Sequence, residues 1–432
     1  MSESKILHSY KHCRVQIILR RRRMQRYRRR FLLRFAVLLA IEEDSAWDEH
    51  QKKKLSKFRT HLGMEGLHRR DRRIPRIALH FPMMSAWSHL FGSGNDQALI
   101  TVCGVDHHVF SELRAQFTPI FDAYTPYGKS DQDSETSFSI YKLDPNEQRG
   151  RRRLVTAEMC LGLTLAWTRT RGAHWLLSMI FGMTANTVSV WLRFGIRLLV
   201  HILKHHEDAA VKLPTNEKIQ EYKNAIQRKY PALNNCYAVC DGLKLMLEQS
   251  GNHLIQNRFY NGWTHDHYVA NLFVFVPDGT ICACALNAPG SIHDSQLAEW
   301  GKVYSKLQNV YDATEGKVVM DSAFSKHNYP YIVKSGQELP LQTTPHEVVV
   351  SCQATSCRQA AEWGMHGLQG SFPRLKDRIP YEENGDRRLM LMFITLLYNF
   401  RARRVGMNQI LNTYMPELSR DANYLLSITS ID

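Results

Sequence analysis

Tyr237-Ala238-Val239-Cys240-Asp241-Gly242 reads as a short apolar β-strand that runs into an acid. β-branched and aromatic residues suit a half-buried strand, and Asp-Gly is a turn pair. A second unit of this kind is Gly316-Lys317-Val318-Val319-Met320-Asp321-Ser322. Between the two lie β-rich runs, Tyr268–Pro277 and Thr280–Leu286, joined by Asp278-Gly279. Asp-Gly between such runs signals a hairpin, with Asp278 at the loop tip. Pro289-Gly290-Ser291-Ile292-His293-Asp294-Ser295 then opens a helix that runs to about Lys306. After the second unit, Thr355–Leu368 has helical spacing, with Arg358 and Glu362 one turn apart.

The order of a β-meander, a helix, a strand and a helix predicts an α/β fold with an RNase H-like mixed-sheet catalytic core. In such a core the first and fourth strands are neighbours. Asp241 and Asp321 then sit side by side, although far apart in sequence. Adjacent carboxylates repel, and a divalent cation relieves the repulsion. Mg²⁺ or Mn²⁺ is the expected cofactor, because a hard ion prefers carboxylate oxygen. Two such ions activate a water and stabilise the leaving oxygen of a phosphodiester. Glu362, facing the same point from its helix, completes the expected catalytic set.

Each acid also has a plain structural reading. Asp241-Gly242 can be a turn, Ser291 or Asp294 a helix cap, and Asp321-Ser322 a turn or cap. Glu362 can be a surface acid paired with Arg358, worth about 0.3–0.5 kcal/mol. What favours chemistry is the joint pattern of two strand-terminal acids and one helix acid in this order. His265, His267, His293 and His327 match no zinc-ligand spacing.

The 432 residues are 44% hydrophobic and 22% charged, which excludes a mostly disordered or fibrous chain. No apolar run of membrane-spanning length occurs, and no membrane partner is expected. The net charge of +15 is concentrated at the start. Residues 1–34 carry twelve Lys/Arg against one acid, Glu3. Arg20–Arg23 and Arg28–Arg30 read as a nuclear-import signal or a DNA-phosphate contact. The same arginine-rich start also has features of a mitochondrial presequence or a signal peptide, though its density and the lack of a clear cleavage site fit neither well. Phe31–Ile41 is apolar but short and interrupted by Arg34. The location expected from this arm is the nucleus. The nine cysteines include no C-x-x-C pair, which argues against a disulfide framework or zinc ribbon. Cys282 and Cys284 read as buried residues on one face of a strand.

A helix-turn-helix is expected before the core. Thr156–Trp167 and Ala173–Phe181 have helical spacing. Gly182-Met183-Thr184 makes a turn, and Ala185–Val200 follows with Thr184 as its cap. Asn186, Thr187 and Ser189 are the candidate readers of base edges, and Arg193 and Arg197 the candidate phosphate contacts. A plain helical hairpin is the alternative. The chain thus divides into a basic arm (1–76), a helical region with a polar linker (77–150), the helix-turn-helix region (151–230), the catalytic core (231–412) and a tail (413–432).

The chain resembles the PIF/Harbinger transposases, whose catalytic part is a DDE superfamily endonuclease domain, and their domesticated relatives. The resemblance rests on Cys240-Asp241-Gly242, Arg258-Phe259-Tyr260-Asn261-Gly262, the Pro289–Ser295 box, Met320-Asp321-Ser322-Ala323-Phe324 and Ala361-Glu362-Trp363-Gly364. Leu397-Tyr398-Asn399-Phe400-Arg401 and Gly406-Met407-Asn408-Gln409-Ile410 resemble the family's closing segment. It covers about 236–412, and less distinctly Ser93–Tyr127 and the helix-turn-helix stretch. Many relatives have Gly-Asp-Ser-Gly-Tyr where this chain has Met320–Phe324.

The resemblance implies a metal-dependent nuclease that cuts at transposon ends and joins them to target DNA. It places catalytic roles on Asp241, Asp321 and Glu362, and it adds Asp294 to the metal-site acids. It further implies double-stranded DNA as substrate, a Myb-like DNA-binding protein as partner, and a homo-oligomer. A domesticated, catalytically silent DNA-binding or partner-recruiting protein is the alternative.

Overall fold

The computed structural model describes residues 74, 76–127, 141–143, 153–172, 174–250, 252–262, 264–324, 329–336, 344–380, 384–406 and 408–419. The arginine-rich arm, Phe31–Ile41, most of the polar linker, His327 and residues 420–432 lie outside them.

The centre of the fold is a six-stranded mixed sheet. Strand β3 (Cys236–Met246) runs antiparallel to β5 (Asp266–Phe275), from Val239↔Phe275 to Met246↔Tyr268. On its other side β3 runs parallel to β7 (Lys317–Met320), and β7 runs parallel to β8 (Ile332–Lys334). Strand β6 (Ile281–Pro289) pairs antiparallel with β5 through the Asp278-Gly279 turn, where Gly279 has φ 81°. The short β4 (Tyr260–Asn261) lies on the same side of β5 as β6, at the end beyond Val269↔Pro289. The first and fourth strands of this meander-and-crossover unit, β3 and β7, are therefore hydrogen-bonded neighbours.

The strand boundaries differ from the sequence reading in one useful way. β3 does not stop at Asp241 but continues to Met246, because its antiparallel partner β5 is long enough to pair with all of it. The parallel partner β7 stops at Met320. Asp241 thus stands where the parallel pairing ends, not where the strand ends.

The helices cover both faces. Helix α11 (Pro345–Ser371) opens with a capping box formed by Thr344 and Glu347. It lies on the face carrying Asp241 and Phe275, and the Phe275 ring leaves no room for a Cβ on Gly364. The opposite face, at Gly242 and Ala285, meets α9 (Asp294–Trp300) and the Gly301-Lys302 turn before α10 (Val303–Thr314). One helix was expected from the box to Lys306. It breaks because the Gly301 backbone packs directly on Ala285, and Lys302 follows in a left-handed turn at φ 54°. Helix α12 (Asn384–Arg404) guards the β6 edge: buried Asn399 accepts from the Ile281 N–H at 2.8 Å and donates to its carbonyl at 2.9 Å.

Ahead of the sheet lie α1 (Ala86–Gly92), α2 (Asp96–Cys103), α3 (His107–Ala123), α4 (Ala157–Arg169), α5 (Trp175–Phe181), α6 (Ala185–His205) and α7 (Asn216–Lys229). Gly162 of α4 receives the Trp87 ring of α1, and Gly195 of α6 receives Thr164 of α4. A two-stranded ribbon, β1 (Tyr124–Thr125) with β2 (Tyr141–Lys142), was not expected from the sequence. Helices α5 and α6 meet at 87°, across a turn in which Gly182 has φ 63° and the Thr184 side chain accepts from the Thr187 N–H. Among the described residues no single helix is long and apolar enough to cross a membrane.

Candidate active site

Asp241 sits on β3 opposite Phe273. Its Oδ1 accepts from the Gly242 N–H at 2.8 Å, and its Oδ2 accepts from Arg358 Nη1 at 2.8 Å. Asp321 is the first residue past β7. Continuing the Val239↔Val319 register by two residues brings Asp321 abreast of Asp241. Asp294 is the first residue of α9, where His293 makes no side-chain cap bond. Its carboxylate comes against β3 at Gly242, so close that a Cβ there would meet Oδ1 at 2.8 Å. Only glycine admits this approach.

The electrostatics record the crowding. Burial pushes the Asp241 carboxyl above its ordinary range, the Gly242 N–H and Arg358 oppose the shift, and Asp321 and Asp294 add to it. Burial also raises Asp294, with Asp321 adding and Lys244 and His293 opposing. Asp241, Asp294 and Asp321 thus share one local field, which favours the protonated forms of the first two.

Glu362 reaches this cluster through a base. Its Oε1 forms an ion pair with Arg358 Nη2 at 2.9 Å, so Arg358 joins Glu362 to Asp241. The pairing of Glu362 with Arg358 was readable from their spacing, but the second contact to Asp241 was not. Among the described residues no three His, Cys, Asp or Glu side chains are grouped closely enough to hold a metal ion. The acids are neighbours in charge and in fold, but in this conformation they are not a ready coordination set.

The box bearing Asp294 is clipped to the preceding segment, helix α8 (His253–Phe259) and strand β4. Asn261 Nδ2 donates to the Gly290 carbonyl at 2.9 Å, and Ser291 Oγ donates to the Arg258 carbonyl at 2.9 Å. Ser291 is therefore not a helix cap. Gly290 also lies against the Tyr268 and Phe259 carbonyls. Both stretches stood in the sequence as motifs, but their mutual contact had no signal there. Asp278 is more than a loop tip: it accepts from the Thr280 N–H at 2.9 Å and from the Tyr222 hydroxyl at 2.9 Å.

The candidate DNA contacts on α6 divide by exposure. Asn186 and Arg193 are exposed, while Thr187, Ser189 and Arg197 are half-buried. The Thr187 hydroxyl pairs with Thr184 Oγ1 at 2.8 Å. Ser189 Oγ donates to the Ala185 carbonyl at 3.0 Å and lies 3.0 Å from His174 Nδ1. Burial, then the positive charges of Arg374 and Arg193, hold His174 below its ordinary range.

A mixed sheet flanked by helices, with acids gathered at the end of one parallel strand pair, is compatible with an α/β nuclease core. Residues 240–399 match the family described as DDE superfamily endonuclease. That segment contains Asp241, Asp294, Asp321 and Glu362. No curated protein and no solved structure matches the chain.

Proposed function

We propose that the protein is a divalent-metal-dependent DNA endonuclease and transposase of PIF/Harbinger type, with an RNase H-like core. The observation that carries this reading is the placement of Asp241 on β3 and of Asp321 just past the end of the neighbouring parallel strand β7, with Asp294 in the same field. The family match over residues 240–399 supports it.

The donor set suits Mg²⁺ or Mn²⁺ in kind. It consists of hard carboxylate oxygens, two of them on groups whose ionised form the fold disfavours. Asp241, Asp294, Asp321 and Glu362 would hold the metal. When bound, divalent cations supply Lewis-acid activation of water and stabilisation of the leaving oxygen. The chain's own part is to orient. The Gly242 N–H fixes Asp241 Oδ1, and the Asn261 and Ser291 contacts hold the box from which Asp294 projects. In strand transfer the 3′-hydroxyl freed by hydrolysis attacks a target phosphodiester and expels the target strand's own 3′-oxygen, so no protein nucleophile is required.

Duplex DNA, as transposon ends and target, is the proposed substrate. The helical region 151–230 is the proposed helix-turn-helix reader, with the exposed Asn186 and Arg193 nearest to DNA and Thr187, Ser189 and Arg197 behind them. The nucleus, a Myb-like partner and a homo-oligomer belong to the same reading.

One observation favours a second reading, a silent DNA-binding descendant: Arg358 forms ion pairs with both Asp241 and Glu362. A cleavage assay separates the two. Purified protein with Mg²⁺ or Mn²⁺ and terminal-repeat DNA is compared with Asp241→Asn and Glu362→Gln. The nuclease reading expects at least a hundredfold loss in each variant (~2.7 kcal/mol or more of barrier). Equal cleavage by wild type and variants, with the partner present, leaves the silent reading standing.

A further inference from the structure

Arg358 lies one turn before Glu362 on α11 and divides its guanidinium between two acids from different elements. Nη1 takes Asp241 Oδ2 and Nη2 takes Glu362 Oε1. Arg358 and Asp241 are largely covered, with side chains 23% and 14% exposed, whereas Glu362 is 52% exposed and open to exchange. A guanidinium fork suits two oxygens of one carboxylate or phosphate. Here it is split, and it faces the oxygens that the nuclease reading gives to a metal. A divalent cation approaching Asp241 and Glu362 would meet a positive charge already at hydrogen-bond distance from both. The lack of a metal-ready set of three ligands among the described residues fits that arrangement.

We propose that Arg358 is a phosphate-exchanged latch: it serves as the internal counter-ion of Asp241 and Glu362 until a DNA phosphodiester takes its guanidinium and frees both carboxylates for a divalent cation. Arg358 is then a positioning residue, and the device rests on the nuclease reading. Its consequence is that the free protein binds the cation poorly and DNA raises that affinity. By linkage, the cation raises DNA affinity by the same factor.

The test is Mn²⁺ binding to the full chain without DNA, read by the electron paramagnetic resonance of free Mn²⁺, with circular dichroism to confirm folding. Arg358→Met and Arg358→Gln are expected to bind Mn²⁺ at least tenfold more tightly than wild type. Arg358→Lys, which keeps the charge but not the fork, should fall between and covers the case in which the neutral variants do not fold. Affinity equal to or below wild type in the folded variants overturns the latch. Adding Asp241→Asn to Arg358→Met should return weak binding. If Mn²⁺ still binds tightly, the ion is not at these acids, and the site reading fails separately from the latch. Anisotropy of a short labelled duplex gives the reciprocal readout. Mn²⁺ should tighten DNA binding severalfold in wild type and less in Arg358→Met; equal tightening counts against the latch.

Discussion

Asp294 shows how a residue's surroundings can hide in a sequence. At the start of a helix an aspartate looks like a cap, and only family resemblance gave it another role. In the fold it makes no cap bond but presses its carboxylate against Gly242, in the field of Asp321. Its carboxyl is raised, so the charged form costs the folded state stability at pH values above the ordinary carboxylate range. Asp294→Asn removes that cost. The variant is expected to be more stable than metal-free wild type at pH 7 by about 0.5–1 kcal/mol, a gain kept small by Lys244 and by solvent. The gain should shrink as pH falls through the raised value and vanish where Asp294 is protonated in both folded and unfolded chains. Urea unfolding at pH 7 and near pH 3 checks this, and a variant less stable at pH 7 contradicts it. The neighbouring placement of Asp241 and Asp321 was legible because two apolar β runs each met an acid, although β3 runs on past Asp241. The double contact of Arg358 was not, because β3 and α11 are brought together only by tertiary packing.

At the scale of elements, the sequence pattern carried furthest where local chemistry is strong. The Asp278-Gly279 hairpin, the Gly182 turn and the Thr184 cap all form where they were read. The break at Gly301 was missed because it depends on Ala285 of β6, a contact with no local signal. Asn399 belongs with it: a motif residue in sequence, it proves to be the device that closes the β6 edge. Asn399→Ala strands a buried N–H and C=O of Ile281, and urea unfolding should show a loss of about 2–3 kcal/mol. A loss below about 0.5 kcal/mol would mean that water replaces the side chain. Helix α6 allows a sharper division. Arg193 is exposed, and if it contacts phosphate, Arg193→Ala should weaken DNA binding across sequences and lower the salt slope by about 1. Ser189 is tied to His174 and Ala185. Ser189→Ala should therefore leave base preference unchanged in a binding-site selection experiment, whereas an altered preference would restore it as a base reader.

At the scale of the whole chain, charge and chemistry are separated along the sequence. Residues 1–34 hold most of the +15 net charge, while the residues from 77 onward are nearly balanced. A sheet with several acids in one local field is a poor attractor of DNA by itself. A concentrated basic segment can supply that attraction by releasing counterions, without reading sequence. The proposed nuclease thus has a division of labour: the arm raises local DNA concentration, the helical region sets register, and the acids cut. Removing residues 1–34 should weaken binding to arbitrary duplex at low salt by tenfold or more. It should also reduce the slope of log affinity against log salt by several, because each lost phosphate contact removes about 0.9. On this division of labour, turnover of saturating DNA should stay within about twofold. Titrations over a salt series, paired with single-turnover cleavage at saturating DNA, measure both quantities. An unchanged slope would assign the arm to another task, such as nuclear import, and leave the body of the protein to find DNA with Arg193 and its neighbours alone.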